Sequence, residues 1–441
     1  MAATVSVTPA DVLDTLREHL LVDGFDLVLD LEKSRGSLLV DARDGREWTD
    51  LFTFFASNAL GMNHPALTDD ATFRTELLTA ALNKPSSSDV YTVEQARFVA
   101  TFERVLGDPA LPHLFLIDGG ALAVENALKV AFDWKSRLNE SRGLSPELGT
   151  KVLHLEHAFH GRSGYTMSLT NTEPGKVARF PKHDWPRIPA PYTGTHRDGT
   201  PRDVDALEAE SLAAARAAFE TYPHDIACFI MEPVQGEGGD HHFRPSFLRG
   251  MQDLCREFDA LLVMDEVQTG AGITGTAWAY QQLGVQPDVV AFGKKTQVCG
   301  VMAGGRVDEV PDNVFAVSSR INSTWGGNLT DMVRSRRILE VYEAEGLIAR
   351  AAEQGAYLLG RLAELAGRYP AVTDVRGRGL MCAVTLPSRE VRDAVLAGLV
   401  ERGILMLGCG ERSVRFRPAL TVDRETLDRG VTALDEVLAA L

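Results

Sequence analysis

The stretch from Leu261 to Gln297 constrains the fold of this chain more than any other. It contains two short apolar runs, LLVMD, which ends at Asp265, and VVAF, which ends just before Gly293 and Lys294. Apolar runs of this length that end in a polar group are typical of buried parallel strands. Ligands of α/β proteins bind at the carboxyl edge of such strands. The two runs therefore predict that a carboxylate and an amine, those of Asp265 and Lys294, meet in one crevice.

A carboxylate and an amine at one sheet edge suit the chemistry of pyridoxal 5′-phosphate. The cofactor needs a lysine amine for a Schiff base, and an aspartate that keeps its pyridine nitrogen protonated so that the ring can take up electrons. Lys294 and Asp265 are accordingly the candidate catalytic residues. A cap or a solvated charge is the alternative for each residue taken alone, so the assignment depends on the rest of the chain.

Composition limits the number of domains and the class of partner. A chain of 441 residues exceeds one typical core and predicts two domains. Its net charge of −16 argues against nucleic acid and anionic membranes as partners, so local arginines must bind any anionic substrate. Five scattered cysteines without a C-x-x-C pair favour a reduced protein with no metal site and no disulfide. With neither a leader pattern nor an apolar run long enough to span a bilayer, we expect a cytoplasmic protein.

Strand and helix patterns alternate through the middle of the chain. The runs HLFLID, KVLHLE and DIACFIMEP predict strands separated by helices, which is the order of a doubly wound α/β sheet. Gly120 and Ala121 lie between the first of these strands and a helix, where free backbone N–H groups bind anions; a tight turn is the alternative. We expect an N-terminal segment with part of a small domain over 1–75, a large domain over 76–335, and the rest of the small domain over 336–441. A hairpin turn is predicted at Arg43-Asp44-Gly45.

Several segments resemble the class III aminotransferases, a family of fold-type I pyridoxal-phosphate enzymes. The resemblance covers nearly the whole chain and is strongest in ALNKPSSSDVY, DGGALAVENALK, FHGRSGYT, AFGKKTQVCGVMAG and NSTWGGNLTD. It implies a large, mostly parallel, doubly wound sheet domain and a smaller α/β domain built from both termini. Within the family, these segments are most similar to members that act on the ε-amine of lysine.

The resemblance also implies a role for each residue that matches a family motif. Lys294 matches the apolar-Gly-Lys pattern, so Lys295 is expected to face outward or to support the site. The other implied cofactor contacts are Gly120 and Ala121 at the phosphate, Phe159 on the ring face, Asp265 at the pyridine nitrogen, Gln268 at the phenolic oxygen, and Thr324 at the phosphate of a neighbouring subunit. Ala121 departs from the family pattern because it lacks the usual hydroxyl. Thr324 in that role implies a homodimer with shared sites.

The substrates that the resemblance implies set a problem for one pocket. L-lysine would give up its ε-amine, and the carbon that carries this amine has no carboxylate beside it. 2-Oxoglutarate would then react at its keto carbon, which has a carboxylate beside it. The implied products are 2-aminoadipate 6-semialdehyde, which should cyclise, and L-glutamate. The candidate substrate contacts are Arg162, Glu237, Asn322 and Arg415. We expect Glu237 to mask Arg415 while lysine reacts, with Arg162 taking the distant carboxylate; a plain ion pair between domains is the alternative.

Two other activities would keep the same cofactor residues. An ω-aminotransferase for another diamino acid such as ornithine differs only in the length of its substrate. A pyridoxal-phosphate aminomutase shares the fold and needs no keto-acid acceptor. Comparing the rates with lysine and ornithine distinguishes the first alternative from a lysine enzyme. A requirement for 2-oxoglutarate in turnover excludes the aminomutase.

Overall fold

A computed structural model of the chain describes residues 6–196 and 198–441. Its strands are β1 (Leu38–Val40), β2 (Glu47–Asp50), β3 (His113–Ile117), β4 (Lys151–Leu155), β5 (Arg187–Ile188), β6 (Ile226–Met231), β7 (Val234–Gln235), β8 (His241–His242), β9 (Leu261–Asp265), β10 (Val289–Phe292), β11 (Cys299–Ala303), β12 (Thr373–Arg378), β13 (Met381–Thr385), β14 (Ile404–Leu405), β15 (Leu407–Cys409) and β16 (Ser413–Phe416).

The helices alternate with these strands in the middle of the chain. They are α1 (Val12–Arg17), α2 (Thr53–Ala56), α3 (Pro65–Thr68), α4 (Ala71–Leu82), α5 (Val93–Leu106), α6 (Gly120–Ser141), α7 (Gly164–Leu169), α8 (Val204–Thr221), α9 (Gly236–Gly239), α10 (Pro245–Glu257), α11 (Leu329–Glu345), α12 (Leu347–Arg368), α13 (Arg389–Glu401) and α14 (Arg424–Ala440). Short 3₁₀ helices occupy Pro9–Asp11, Pro174–Lys176, Ala279–Gln282, Lys294–Thr296 and Gly305–Glu309. Within the described ranges, every helix is too short or too polar to span a bilayer.

The largest sheet confirms the predicted doubly wound, mostly parallel architecture. Its strand order is β3-β11-β10-β9-β6-β4-β5, and β11 alone runs antiparallel to its neighbours. All residues of β6, β9 and β10 are buried, which explains why these strands are continuously apolar in sequence. Because β9 and β10 are adjacent and parallel, with Ala291 opposite Asp265, the two polar strand ends lie at the same edge.

Two smaller sheets lie outside the large one, and the first of them joins the two ends of the chain. In the first, β1 and β2 form the predicted hairpin, and β2 then pairs in parallel with β14 from the C-terminal part. In the second, β12, β13, β16 and β15 form an antiparallel sheet packed against α12. The smaller α/β unit is therefore built from both termini, as expected, while the boundaries at 75/76 and 335/336 stay a prediction.

A strained turn follows β2. The four residues Thr53–Ala56 have φ values of 40°, 51°, 61° and 64°, so α2 is a left-handed turn of side chains that disfavour that conformation. Two hydrogen bonds hold its first residue: Asp50 Oδ1 accepts from Thr53 N at 2.7 Å, and Thr53 Oγ1 donates to Arg417 O at 2.7 Å. Strain of this kind persists only where the surroundings over-determine it, which is common at functional sites.

Candidate active site

A cavity of about 350 Å³ opens at the carboxyl edge of the large sheet. Its lining includes six of the seven cofactor contacts expected from the sequence, namely Gly120, Ala121, Phe159, Asp265, Gln268 and Lys294. Arg162 and Glu237, two of the expected substrate contacts, also line it. These residues meet because parallel strands bring the segments at their carboxyl ends to one edge of the sheet.

Lys294 faces the cavity from the start of the 3₁₀ turn that follows β10. Its backbone is left-handed, with φ of 55°, so the chain turns sharply where the strand ends. Burial lowers the pKa of its amine and Arg415 lowers it further, against the opposing effect of Glu237 and Asp265. A lysine that loses its proton more readily than a solvated one suits a nucleophile or a base.

Lys295 does not face outward, which excludes one of the two positions expected for it. Its side chain is buried, and Nζ donates to Ala56 O at 3.2 Å and to Gln268 O at 2.8 Å. Burial and the neighbouring Lys294 hold its pKa well below the usual value. Lys295 therefore supports the site from behind, joining the lysine turn to the left-handed turn Thr53–Ala56.

Asp265 is the last residue of β9 and is oriented by a histidine. Its Oδ2 lies 2.7 Å from His160 Nδ1, and its Oδ1 accepts from Val267 N at 3.1 Å. A His160 tautomer protonated at Nδ1 donates to the carboxylate and fixes its orientation. Sequence reasoning did not single out His160, although its position next to Phe159 in the HGR motif was a signal.

Glu232 is a second buried carboxyl group that the sequence reasoning missed. Glu232 comes directly after the last residue of β6, a position similar to that of Asp265 at the end of β9. Its carboxylate accepts from Phe159 N at 2.9 Å and from Gly236 N at 3.1 Å. Burial, and then the charge of Asp265, raise its pKa well above the usual value. Glu232 thus ties the loop that carries Phe159 to the turn that carries Glu237. An apolar run ending in a carboxyl residue was the available signal.

Glu237 and Arg415 form the expected pair. Glu237 lies in the short turn α9, and its Oε2 accepts from Arg415 Nη2 at 2.8 Å. Its Oε1 accepts from Lys176 Nζ at 2.6 Å, a partner that the sequence did not indicate. Burial raises the pKa of Glu237, but Arg415 and Lys176 outweigh it and lower the pKa to about 2. Arg415 Nε and Nη1 are buried and have no hydrogen-bond partner within the described residues, so the guanidinium retains donors for a further anion.

Gln268 is oriented by Arg417, which lies two residues after Arg415. Arg417 Nε donates to Gln268 Oε1 at 3.0 Å, and Arg417 also pairs with Asp240 at the end of the Glu237 turn. With its oxygen engaged, Gln268 keeps its amide N–H₂ to donate into the cavity.

The remaining predicted residues lie at the rim or away from it. Arg162 is exposed, with its guanidinium 5.8 Å from the centroid of the Phe159 ring. Asn322 and Thr324 are exposed outside the cavity of their own chain. Their loop is anchored, since Ser88 Oγ donates to Ser323 O at 2.8 Å. Contact of Thr324 and Asn322 with a neighbouring subunit's site stays a prediction.

The residues present fit pyridoxal 5′-phosphate. An amine and a buried carboxylate share the cavity, as the aldehyde and the pyridine nitrogen of the cofactor require. The N-terminus of α6 has Gly119 as its cap and no capping side chain, so its N–H groups remain for a phosphate. At Gly120 a Cβ would lie 2.8 Å from Val267 Cγ1, so only glycine fits this close approach.

Comparison with known proteins identifies the family of this chain. The family model described as "Aminotransferase class-III" matches residues 22–438. The L-lysine-epsilon aminotransferase of Mycobacterium tuberculosis is 66% identical over 98% of this chain and 96% of its own. The protein of the same name from Amycolatopsis lactamdurans is 58% identical over 100% of this chain and 98% of its own. The structure of lysine aminotransferase from M. tuberculosis in the internal aldimine form is 65% identical, with a TM-score of 0.96 over 98% of this chain and 100% of that one. Because the family match spans almost the whole chain and the site fits the cofactor, this chain belongs to the class III aminotransferases and depends on pyridoxal 5′-phosphate.

Proposed function

We propose that this enzyme transfers the ε-amino group of L-lysine to 2-oxoglutarate, forming 2-aminoadipate 6-semialdehyde, which cyclises, and L-glutamate. The observation that carries the proposal is the engagement of Arg415 by Glu237 at 2.8 Å. The extensive identity with two L-lysine-epsilon aminotransferases supports the same substrate.

A masked Arg415 suits an amine donor that has no carboxylate beside its reacting carbon. A free guanidinium there would bind the α-carboxylate of lysine and select the wrong amine. With Glu237 on Arg415, the carboxylate of lysine is directed to another cation, and Arg162 at the cavity rim is the candidate. The fork of an arginine can bind such a carboxylate through two hydrogen bonds.

Each catalytic side chain has a role that follows from its surroundings. When bound, the cofactor supplies an electron sink for the substrate carbon that loses a proton. Lys294 Nζ, with its lowered pKa, would accept that proton from the substrate carbon and deliver it to C4′ of the cofactor. Asp265, held by His160, would stabilise positive charge on the ring nitrogen. Phe159 offers an aromatic face at the cavity wall.

The second half-reaction requires the opposite state of the pair. The α-carboxylate of 2-oxoglutarate adjoins its reacting carbon, so Arg415 has to be released from Glu237 to bind it. Nε and Nη1 of Arg415, which have no partner among the described residues, would supply hydrogen bonds for this carboxylate. A buried guanidinium that exchanges one carboxylate partner for another avoids being left uncompensated.

Half-reactions followed by cofactor absorbance test the substrate assignment. We expect L-lysine to convert the cofactor to its aminated form, L-ornithine to do so at least about tenfold more slowly, and 2-oxoglutarate to reverse the change. A faster reaction with ornithine would favour the shorter diamino acid. Turnover of lysine without any keto acid would identify an aminomutase.

We further propose a homodimer in which Thr324 and Asn322 complete the neighbouring subunit's site. Their loop is exposed and is anchored to the segment at Ser88, and large apolar side chains of these two segments are exposed: Trp325, Tyr91 and Val93 are 44%, 81% and 61% exposed. Apolar exposure on this scale is typical of a surface that another protein covers. We also propose a cytoplasmic location, because the five cysteines are buried and unpaired, as in proteins kept under reducing conditions.

Subunit complementation tests the shared site. The variants Lys294→Ala and Thr324→Ala would be co-expressed with different tags, and the mixed dimer isolated. One of its two sites would combine the intact Lys294 of one subunit with the intact Thr324 of the other, so its cofactor affinity should match the wild type at half occupancy. A mixed dimer without a wild-type site, or a monomer by analytical ultracentrifugation, would contradict the proposal.

A further inference from the structure

Glu237 is held by two cations, one on each carboxylate oxygen. Arg415 Nη2 donates to Oε2 at 2.8 Å, and Lys176 Nζ donates to Oε1 at 2.6 Å. Arg415 comes from the small antiparallel sheet, whereas Lys176 comes from the 3₁₀ turn Pro174–Lys176, in a different part of the chain. The two bonds are independent of each other, so Glu237 can lose one and keep the other.

Lys176 is placed as part of the site and not as a solvated surface charge. Its side chain is 13% exposed, and its Nζ lies 5.4 Å from the centroid of the Phe159 ring, on which Arg162 also lies. Glu173 is its second anionic neighbour at 3.5 Å, but that carboxylate is half exposed and three residues away on the same turn. Glu237 is therefore the better shielded partner, and the interaction is the stronger of the two.

This geometry solves a problem that the alternation of substrates creates. When Arg415 binds a substrate carboxylate, Glu237 must leave it, and an unpaired carboxylate in a partly buried turn would be costly. Because Lys176 already bonds to the other oxygen, Glu237 can turn away from Arg415 without becoming unpaired. The balance between the closed and the open state then depends on both cations.

We propose that Lys176 is a specificity-determining residue that holds the Glu237 carboxylate when Arg415 is released, and so favours the state that accepts α-carboxylate substrates. The inference rests on the proposed function, in which lysine reacts with Arg415 masked. Lys176 should therefore affect only the half-reaction of substrates that carry an α-carboxylate beside the reacting carbon. A lysine that merely tethered its loop would affect both half-reactions alike.

The test compares the half-reaction rates of L-lysine and L-glutamate in Lys176→Met and Glu237→Gln. Lys176→Met keeps the stem but removes the charge, so Glu237 stays on Arg415. We expect the lysine rate to be kept and the glutamate rate to fall, raising their ratio by about tenfold. Glu237→Gln should move the same ratio in the opposite direction, because it weakens the mask. An unchanged or lowered ratio in Lys176→Met would overturn the inference.

A binding measurement gives a second readout that does not depend on turnover. Glutarate carries two carboxylates but no reactive carbonyl, so calorimetric titration of the holoenzyme reports access to Arg415. Its dissociation constant should rise by about tenfold in Lys176→Met and return towards the wild type in Lys176→Arg, which restores the charge. Equal dissociation constants in wild type and Lys176→Met would also overturn the inference.

The matched control is Lys182→Met, the same substitution in the same excursion of the chain. Lys182 Nζ donates only to the carbonyls of Val177 and Phe180 among the described residues, so this variant should leave both ratio and glutarate binding unchanged. Should Lys176→Met fail to hold cofactor, Lys176→Gln is measured in its place. Wild-type enzyme that does not react with lysine refutes the proposed function; wild type that reacts, with no change on removing Lys176, refutes this inference alone.

Discussion

Replacing Lys295 by methionine should loosen the left-handed turn Thr53–Ala56 while the cofactor stays attached to Lys294. The variant keeps most of the buried stem and removes the Nζ donor to Ala56 O at 3.2 Å and to Gln268 O at 2.8 Å. Each buried carbonyl left without a donor costs about 1–3 kcal/mol. Removing an amine whose burial is itself unfavourable offsets part of this, leaving about 2 kcal/mol.

The turn is the part of the structure that should respond. A left-handed conformation costs about 1–2 kcal/mol for each of its four non-glycine residues, so nothing in the local backbone preference opposes opening. A loss of about 2 kcal/mol corresponds to roughly thirtyfold faster exchange of the protected amides, if they exchange by local opening. The amides of Ala56 and Ser57, which donate to Phe52 O and Thr53 O, report it directly.

Hydrogen exchange followed by mass spectrometry measures this effect, with cofactor absorbance as the second readout. Lys294→Met is the matched control, since it makes the same substitution one residue earlier. That variant should abolish turnover and covalent attachment and leave amide exchange in the turn close to that of the cofactor-free wild type. Unchanged exchange at Ala56 and Ser57 in Lys295→Met would refute the reasoning, and loss of covalent attachment in that variant would mean that the two lysines have been assigned in the wrong order.

Three further predictions concern the carboxylates of the site. Asp265→Asn should reduce turnover by about 10³-fold or more, because a preorganised charge is lost; a fall of less than about tenfold in stopped-flow measurements would exclude the assignment. His160→Phe leaves Asp265 Oδ2 without its partner and should weaken cofactor binding about tenfold in equilibrium dialysis, whereas unchanged binding would show that His160 does not hold Asp265. Glu237 has its pKa lowered from 4.5 to about 2, so the stability it contributes is present above pH 4.5 and is lost as the pH falls towards 2. The difference in free energy of unfolding between wild type and Glu237→Gln should therefore shrink from about pH 5 to about pH 3 in denaturant titrations, and a constant difference would contradict this linkage.

The strands and the cofactor site were the most predictable parts of the protein. Continuous apolar runs that end in polar residues placed Asp265 and Lys294 at one sheet edge, and β9 and β10 do lie side by side. The glycines at the start of α6 predicted a phosphate cradle, which stays a prediction. These features are local in sequence, since strand length, strand polarity and a helix start are each set by a few consecutive residues.

The supporting contacts were not predictable, because they join residues that are distant in the chain. His160 and Asp265 are 105 residues apart, Lys176 and Glu237 are 61 apart, and Glu237 and Arg415 are 178 apart. The last pair was expected only because the chemistry of two substrates demanded a masked arginine. No comparable demand pointed to Lys176 or to Glu232, whose neighbours are decided by how loops pack over the sheet edge.

The buried strands and the sheet edge that carries Asp265 and Lys294 follow from the sequence, because apolar runs and glycine positions specify backbone geometry locally. The family follows from the resemblance of whole segments. The apolar-Gly-Lys pattern selected Lys294 for the cavity, whereas the buried position of Lys295 came only from the packing of the folded chain. Lys294 and Lys295 belong to the same 3₁₀ turn, and the left-handed backbone at Lys294 sends one amine into the cavity and the other under the turn Thr53–Ala56. The sequence pattern left the position of Lys295 open, because that position depends on the carbonyls of Ala56 and Gln268 that distant segments bring to its amine.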